Sequence, residues 1–144
     1  MIDKMFEYEG IEIYNFLDFY EYTLTHKQFR IACRFECDLD YEYLFRLIFE
    51  LKNITLLAEE IELYVNPRTQ SSSFLRLVRY GRHRQINIVG IARRASEMSI
   101  DFRSQTNRII SFRQTEINDL KIFENIGLHD LDKLGDHNYK EIYY

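Results

Sequence analysis

Tryptophan is absent from the 144-residue sequence, proline occurs once and glycine five times. So few chain breakers exclude a turn-rich all-β fold, and a 46% hydrophobic composition excludes a disordered chain. Cysteine is nearly as scarce. Cys33 and Cys37 form a lone C-x3-C with no second pair or histidine cluster nearby, so no structural metal is expected. They read as ordinary thiols of a reducing compartment. No apolar run approaches the about 20 residues that span a bilayer. The opening Met1-Ile2-Asp3-Lys4-Met5 has neither the basic flank nor the apolar core of a signal peptide. The expectation is a cytoplasmic protein with one domain over residues 1–144 and no membrane segment.

A net charge of -4 conceals a strong segregation. Residues 1–65 carry 14 acids and 6 bases, whereas residues 66–113 carry 10 bases and 2 acids. All ten of those bases are arginine, the side chain suited to bidentate phosphate contact and to completing active sites across subunits. Four of them, Arg68, Arg76, Arg103 and Arg113, read as solvated or as salt-bridge partners for the acidic segments.

Hydrophobic periodicity divides the chain into alternating elements. Asn15 and the serines at 71–73 are natural helix caps, and Tyr41, Leu44, Phe45, Ile48 and Leu51 make an apolar stripe at helical spacing. Apolar runs at 28–35, 54–58, 86–92 and 108–112 read as strands, with a last strand at 139–144. Strands alternating with amphipathic helices predict an α/β fold, a mostly parallel sheet with helices on both faces. Ligands of such sheets bind at the carboxyl ends of the strands. Those ends here are Glu59-Glu60, Arg93-Arg94 and Arg113-Gln114.

An apolar strand closing on two acids has the form of a Walker B element, in which a strand-tip carboxylate holds a hydrated Mg²⁺. The succession of this strand, the arginine-bearing helix ending at Gly81-Arg82, and the strand closing on Ala92-Arg93-Arg94-Ala95 resembles the catalytic half of the FtsK/HerA superfamily of ring-forming, DNA-translocating P-loop ATPases. The resemblance covers about residues 53–123 and implies ATP and Mg²⁺ as ligands. It implies that Glu59 orders the metal through water and that Glu60 polarises the attacking water. Arg94 falls on the family's T-Q-R-P arginine, and Arg93 replaces the sensor glutamine. Arginine accepts no hydrogen bond, so Arg93 can sense nucleotide only by donating to phosphate. Arg82 matches the region that presents an arginine finger to a neighbouring subunit, with Arg79 and Arg84 as further DNA or phosphate contacts.

No G-x4-G-K-[ST] occurs in the sequence, so the phosphate cradle of that family is missing. The segment at residues 3–8, Asp-Lys-Met-Phe-Glu-Tyr, resembles a loop that follows the P-loop unit in the family. The resemblance therefore implies a partial RecA-like core lacking the first strand, P-loop and helix. Such a chain is expected not to hydrolyse ATP unaided, and to act as a homo-oligomer or with a partner segment that supplies the P-loop, on double-stranded DNA. The other expectation is a non-catalytic module that binds DNA or joins a ring through its arginines.

Overall fold

The computed structural model describes Ile2, residues 10–65, Arg68 and residues 71–144. The resemblance drawn at residues 3–8 lies outside the described residues. Strand β1 (Ile11–Ile13) leads to helix α1 (Phe16–Thr25), β2 (Ile31–Cys33), α2 (Asp38–Leu51) and β3 (Thr55–Ala58). Then follow α3 (Ser72–Tyr80), β4 (Asn87–Gly90), α4 (Ile100–Gln105), β5 (Arg108–Ser111), α5 (Ile117–Asn125) and β6 (Lys140–Tyr143).

Local chemistry sets several of these boundaries. The Asn15 side chain accepts from the Asp18 N–H and the Ser71 hydroxyl from the Phe74 N–H, each satisfying a donor orphaned at a helix start. Helix α2 opens at Asp38 behind Cys37, which makes no side-chain cap. Asp40 instead accepts from the Phe16 N–H, 3.2 Å away, tying the start of α1 to that of α2. Gly127, at φ 94°, takes the left-handed turn that ends α5.

β1 pairs with β2 and β3 with β4, both in parallel. Ile2 joins the two pairs, bridging in parallel to Cys33 on one side and to Ala58 on the other. The strand order is therefore β1, β2, the Ile2 position, β3, β4. This is the parallel sheet expected from the sequence, but β5 and β6 stand apart from it as an antiparallel pair.

One core underlies the sheet. Tyr41, Leu44, Phe45 and Ile48 of α2 meet Leu56 and Ala58 of β3 and Phe74 and Leu77 of α3, all buried. Helices on both faces are not realised over β3 and β4. Leu56 and Ala58 are covered, whereas on the opposite face Thr55, Asn87 and Val89 are exposed. A second, smaller core, made by Ala95, Phe123, Leu128 and Leu131, lies under α5, and Met98 packs against both.

Candidate functional site

The register of β3 on β4 places Ala58 beside Gly90, so the residues after each strand meet at one crest. The Ile91 N–H donates to the Ala58 carbonyl at 2.9 Å, and the Ile61 N–H donates to the Ile91 carbonyl at 3.0 Å. Between these two bonds the chain has only Glu59 and Glu60 in which to turn. Glu60 accordingly takes a left-handed conformation, φ 46° and ψ 48°, which disfavours a side chain with a Cβ. Such strain persists where the surroundings over-determine it. Gly90 shows how tight the crest is, because a Cβ there would lie 2.4 Å from Ile61 Cδ1 and 2.9 Å from Phe102 Cζ.

Three of the residues singled out from the sequence come together here. Glu59 leaves the tip of β3, its N–H donating to the Ile2 carbonyl at 3.4 Å. Glu60 Oε1 lies 3.9 Å from a terminal nitrogen of Arg93, which follows β4. Arg93 Nε also donates to Glu62 Oε1 at 3.3 Å. That hydrogen bond, with the fields of Glu60 and Glu62, holds the Arg93 guanidinium above its ordinary pKa. Arg93 is nonetheless 71% exposed, whereas Glu62 is only 6% exposed.

Glu62 is the residue that sequence reasoning missed. It sits in the 3-10 turn Ile61–Leu63, and its Oε2 is buried with no hydrogen-bond partner among the described residues. A buried carboxylate oxygen left without a protein partner is costly, and such groups are uncommon in folded proteins. The sequence signal was available: a third acid just past the strand, between two apolar residues.

Arg94 takes the other direction. The backbone there is extended, at φ -139° and ψ 131°, so successive side chains point to opposite sides. Arg94 Nε donates to Asp119 Oδ2 at 3.2 Å and a terminal nitrogen to Glu116 at 3.3 Å. Asp119, 1% exposed, also accepts from the Ser96 N–H at 2.8 Å. These contacts fasten the post-β4 loop to α5.

Arg79, Arg82 and Arg84 lie away from the crest. All three precede β4 in the chain, and the Asn53 N–H donates to the Arg84 carbonyl at the amino end of the sheet. Arg79 pairs with Asp101 at 3.1 Å. Arg84 donates to the Phe49 carbonyl at 3.2 Å and to Glu50 at 3.3 Å, with its guanidinium 4.3 Å from the Phe49 ring centre. Arg82, in the 3-10 turn Gly81–Arg84, is exposed.

A magnesium ion held through its waters asks for one or two carboxylates at a strand tip. Glu59 and Glu60 stand at such a tip, although among the described residues no group of three or more His, Cys, Asp or Glu could hold a metal ion. A triphosphate asks for a run of backbone N–H groups and a lysine. The described crest offers Arg93 and no such cradle, so these residues do not fit a phosphate chain by themselves.

No protein-family profile matches the chain, and no curated protein sequence does. Solved structures define the class: the fold is that of the P-loop NTPases. With a TM-score of 0.79 and 14% identity, 99% of this chain superimposes on 74% of the genome packaging NTPase B204 from Sulfolobus turreted icosahedral virus 2, in complex with AMPPCP. The same NTPase in complex with ATP-gammaS matches at a TM-score of 0.76 and 12% identity, over 93% of this chain and 68% of that one. B204, the DNA-packaging ATPase from Sulfolobus turreted icosahedral virus, matches at 0.67 and 16% identity, over 92% and 76%. At such identities the likeness establishes the fold. Among the described residues no helix is long and apolar enough to cross a membrane.

Proposed function

We propose that this chain supplies the metal-ordering and water-polarising half of an ATP-driven motor that packages or translocates double-stranded DNA. The observation that supports this reading most directly is the acidic tip of β3, Glu59 and Glu60, set beside Arg93 of β4 in a fold shared with nucleotide-bound packaging NTPases. Glu59 is the carboxylate for a hydrated Mg²⁺, Glu60 orients the attacking water, and Glu62 supports both from beneath. Bound Mg²⁺ would supply charge neutralisation at the phosphates. Arg93, mobile and paired to the acids without nucleotide, turns to the terminal phosphate when nucleotide is present.

The phosphate loop comes from another polypeptide segment, so the chain alone does not turn over ATP. Arg82 stands at the opposite end of the sheet and acts, in this reading, as a finger on a neighbouring subunit's nucleotide. Arg79 and Arg84 flank it as phosphate or DNA contacts, and Arg94 holds the sensor loop in place. ATP binding and turnover of the isolated chain test the proposal. Background turnover is expected; micromolar ATP affinity with turnover abolished by Glu60→Gln would overturn the claim that the phosphate loop lies elsewhere.

The exposure of Arg82 favours a second reading, a non-catalytic module that binds DNA. It predicts salt-dependent binding to duplex DNA, weakened by Arg82→Ala and less by Arg84→Ala, whose guanidinium is already engaged by Glu50 and Phe49.

A further inference from the structure

Helices α2 and α3 pack on one another through Phe45 and Phe74, whose rings meet edge to face at 4.8 Å. Beside that contact the packing is left open. Phe45 and Phe49, one turn apart on α2, are buried, and across from them α3 presents Ser72 and Ser73 rather than larger side chains. A groove of about 380 Å³ remains, lined by these residues and by Arg46 of α2 and Arg76 of α3.

Both arginines are positioned with most of their donors unspent. Arg46 has Glu42 and Glu50 one turn away on either side, yet it makes no ion pair among the described residues. Its Nε donates instead to the Ser73 hydroxyl oxygen at 3.2 Å, which uses one of the five N–H donors of the guanidinium. The Arg76 guanidinium lies 4.0 Å from the Phe49 ring centre, a contact that holds the group through its face and leaves its N–H edges available. Its carboxylate neighbour Glu50 is 3.9 Å away and stands closer to Arg84, at 3.3 Å. Arg46, Arg76 and Arg84 therefore have a single carboxylate, Glu50, within ion-pair distance among the described residues, and the groove keeps an excess of positive charge. Ser73 is buried, and a hydroxyl that accepts from a guanidinium still has its own hydrogen to donate. The opening turn of α3 carries no acid that would repel an anion.

We propose that the groove between α2 and α3 is a binding site for a single phosphate group. Arg46 and Arg76 close on it from the two helices, each donating through its guanidinium edge, and the Ser72 and Ser73 hydroxyls donate to the oxygens that face α3. The site shares no residue with the crest and holds whether or not the crest acts on nucleotide.

Titration of the full chain with inorganic phosphate at constant ionic strength, followed by the resonances of the Ser72 and Ser73 amides and Arg46 Nε, tests it. A saturable shift of these groups is expected, with a higher unfolding midpoint at saturation. Arg46→Gln gives up an exposed charge, so its midpoint without phosphate should change little while its phosphate affinity falls about tenfold. Arg46→Lys, which keeps the charge and loses the fork, should fall between the two. Arg76→Gln should weaken phosphate by a similar factor. A short DNA duplex distinguishes the source of the phosphate: displacement of inorganic phosphate assigns the groove to a nucleic-acid backbone, and retention assigns it to free phosphate or a small phosphate ester. No saturable shift, an equal shift with chloride, or an equal shift in Arg46→Gln with Arg76→Gln overturns the proposal. Duplex binding through these arginines with no response to inorganic phosphate also overturns it, by making them a diffuse basic face.

Discussion

Arg93 and Arg94 are adjacent in sequence and serve two different regions. Arg93 leans over the main α/β body, 71% exposed, where it donates to Glu62 at 3.3 Å and lies 3.9 Å from Glu60, beside a second Glu62 oxygen with no hydrogen-bond partner among the described residues. Arg94 belongs to the smaller C-terminal region, where it forms ion pairs with Asp119, Glu116 and Glu97. The first arrangement is under-satisfied and adjustable; the second is closed. Residues that must change partner during a reaction are drawn from arrangements of the first kind, and residues that hold a loop in place from the second. On the proposed reading, chemistry and architecture are thus separated by a single peptide bond.

The sharpest way to break this contrast is at Asp119. Asp119→Ala removes the acceptor for both Arg94 and the Ser96 N–H, leaving a buried void beside α5. A loss of about 2–3 kcal/mol in unfolding free energy is expected, read as a lower urea midpoint. Asp119→Asn, which keeps an acceptor for Ser96, should lose less. If Asp119→Ala were silent, the closed character of this region would be refuted.

The main body responds to a different variable. Burial pushes the Cys33 thiol up to about 11, and burial also raises Tyr41 to about 12, its hydroxyl 3.0 Å from the Phe35 N–H. Both folded values lie above the unfolded ones. Their stabilisation is therefore complete below the unfolded pKa, about 8.5 for the thiol, and is lost as pH rises through the folded values. Cys33 alone contributes a decline of about 2 kcal/mol between pH about 9 and 11. Urea midpoints across that range should fall in the parent chain and fall less steeply in Cys33→Ala. Exposed Cys37 should react with a thiol reagent in the folded protein, and Cys33 only on unfolding.

A smaller effect is expected at the crest. Gly90→Ala drives a methyl into Ile61 and Phe102, which are both buried, and should cost about 1–2 kcal/mol by overpacking. Because Ile61 opens the turn that carries Glu62, the same change should alter the chemical shifts of Glu62 and Arg93 and leave those of Asp119 in place.

Much of the fold was legible in the sequence because its signals are local. The Asn15 and Ser71 caps, the α2 stripe and the apolar runs of β3, β4 and β5 are written within a few residues each. The carboxyl-end rule then located Glu59, Glu60 and Arg93. What was not legible depends on long-range pairing. Nothing near Ile2 announces that it joins two strand pairs, and nothing near Glu62 announces burial, which follows from Arg93 and the β4 crest 31 residues on. The stripe also misjudged its edges: Leu51 is exposed, while Phe49, outside it, is buried under Arg76 and Arg84. The divergence of Arg93 from Arg94 needed only the alternation of an extended chain, but which side held which acids required the position of α5.

The finest test compares the two arginines directly. Arg93→Ala removes an exposed group whose pair with Glu60, at 3.9 Å, is screened by water, but it also takes from the buried Glu62 carboxylate its hydrogen-bond donor among the described residues. Its unfolding midpoint should fall by a few degrees. Arg94→Ala leaves the buried Asp119 carboxylate with the Ser96 N–H alone and should lower the midpoint by a similar amount, with faster exchange at the Ser96 amide. Calorimetry on the two single variants and the double decides the matter. Independent regions require that the two shifts add, since the side chains share no partner but Glu97, which is 4.0 Å from Arg94 and adds only weakly to the field at Arg93. A large coupling between them would mean that the loop after β4 moves as one piece, and that releasing Arg93 from Glu62 is felt at Asp119.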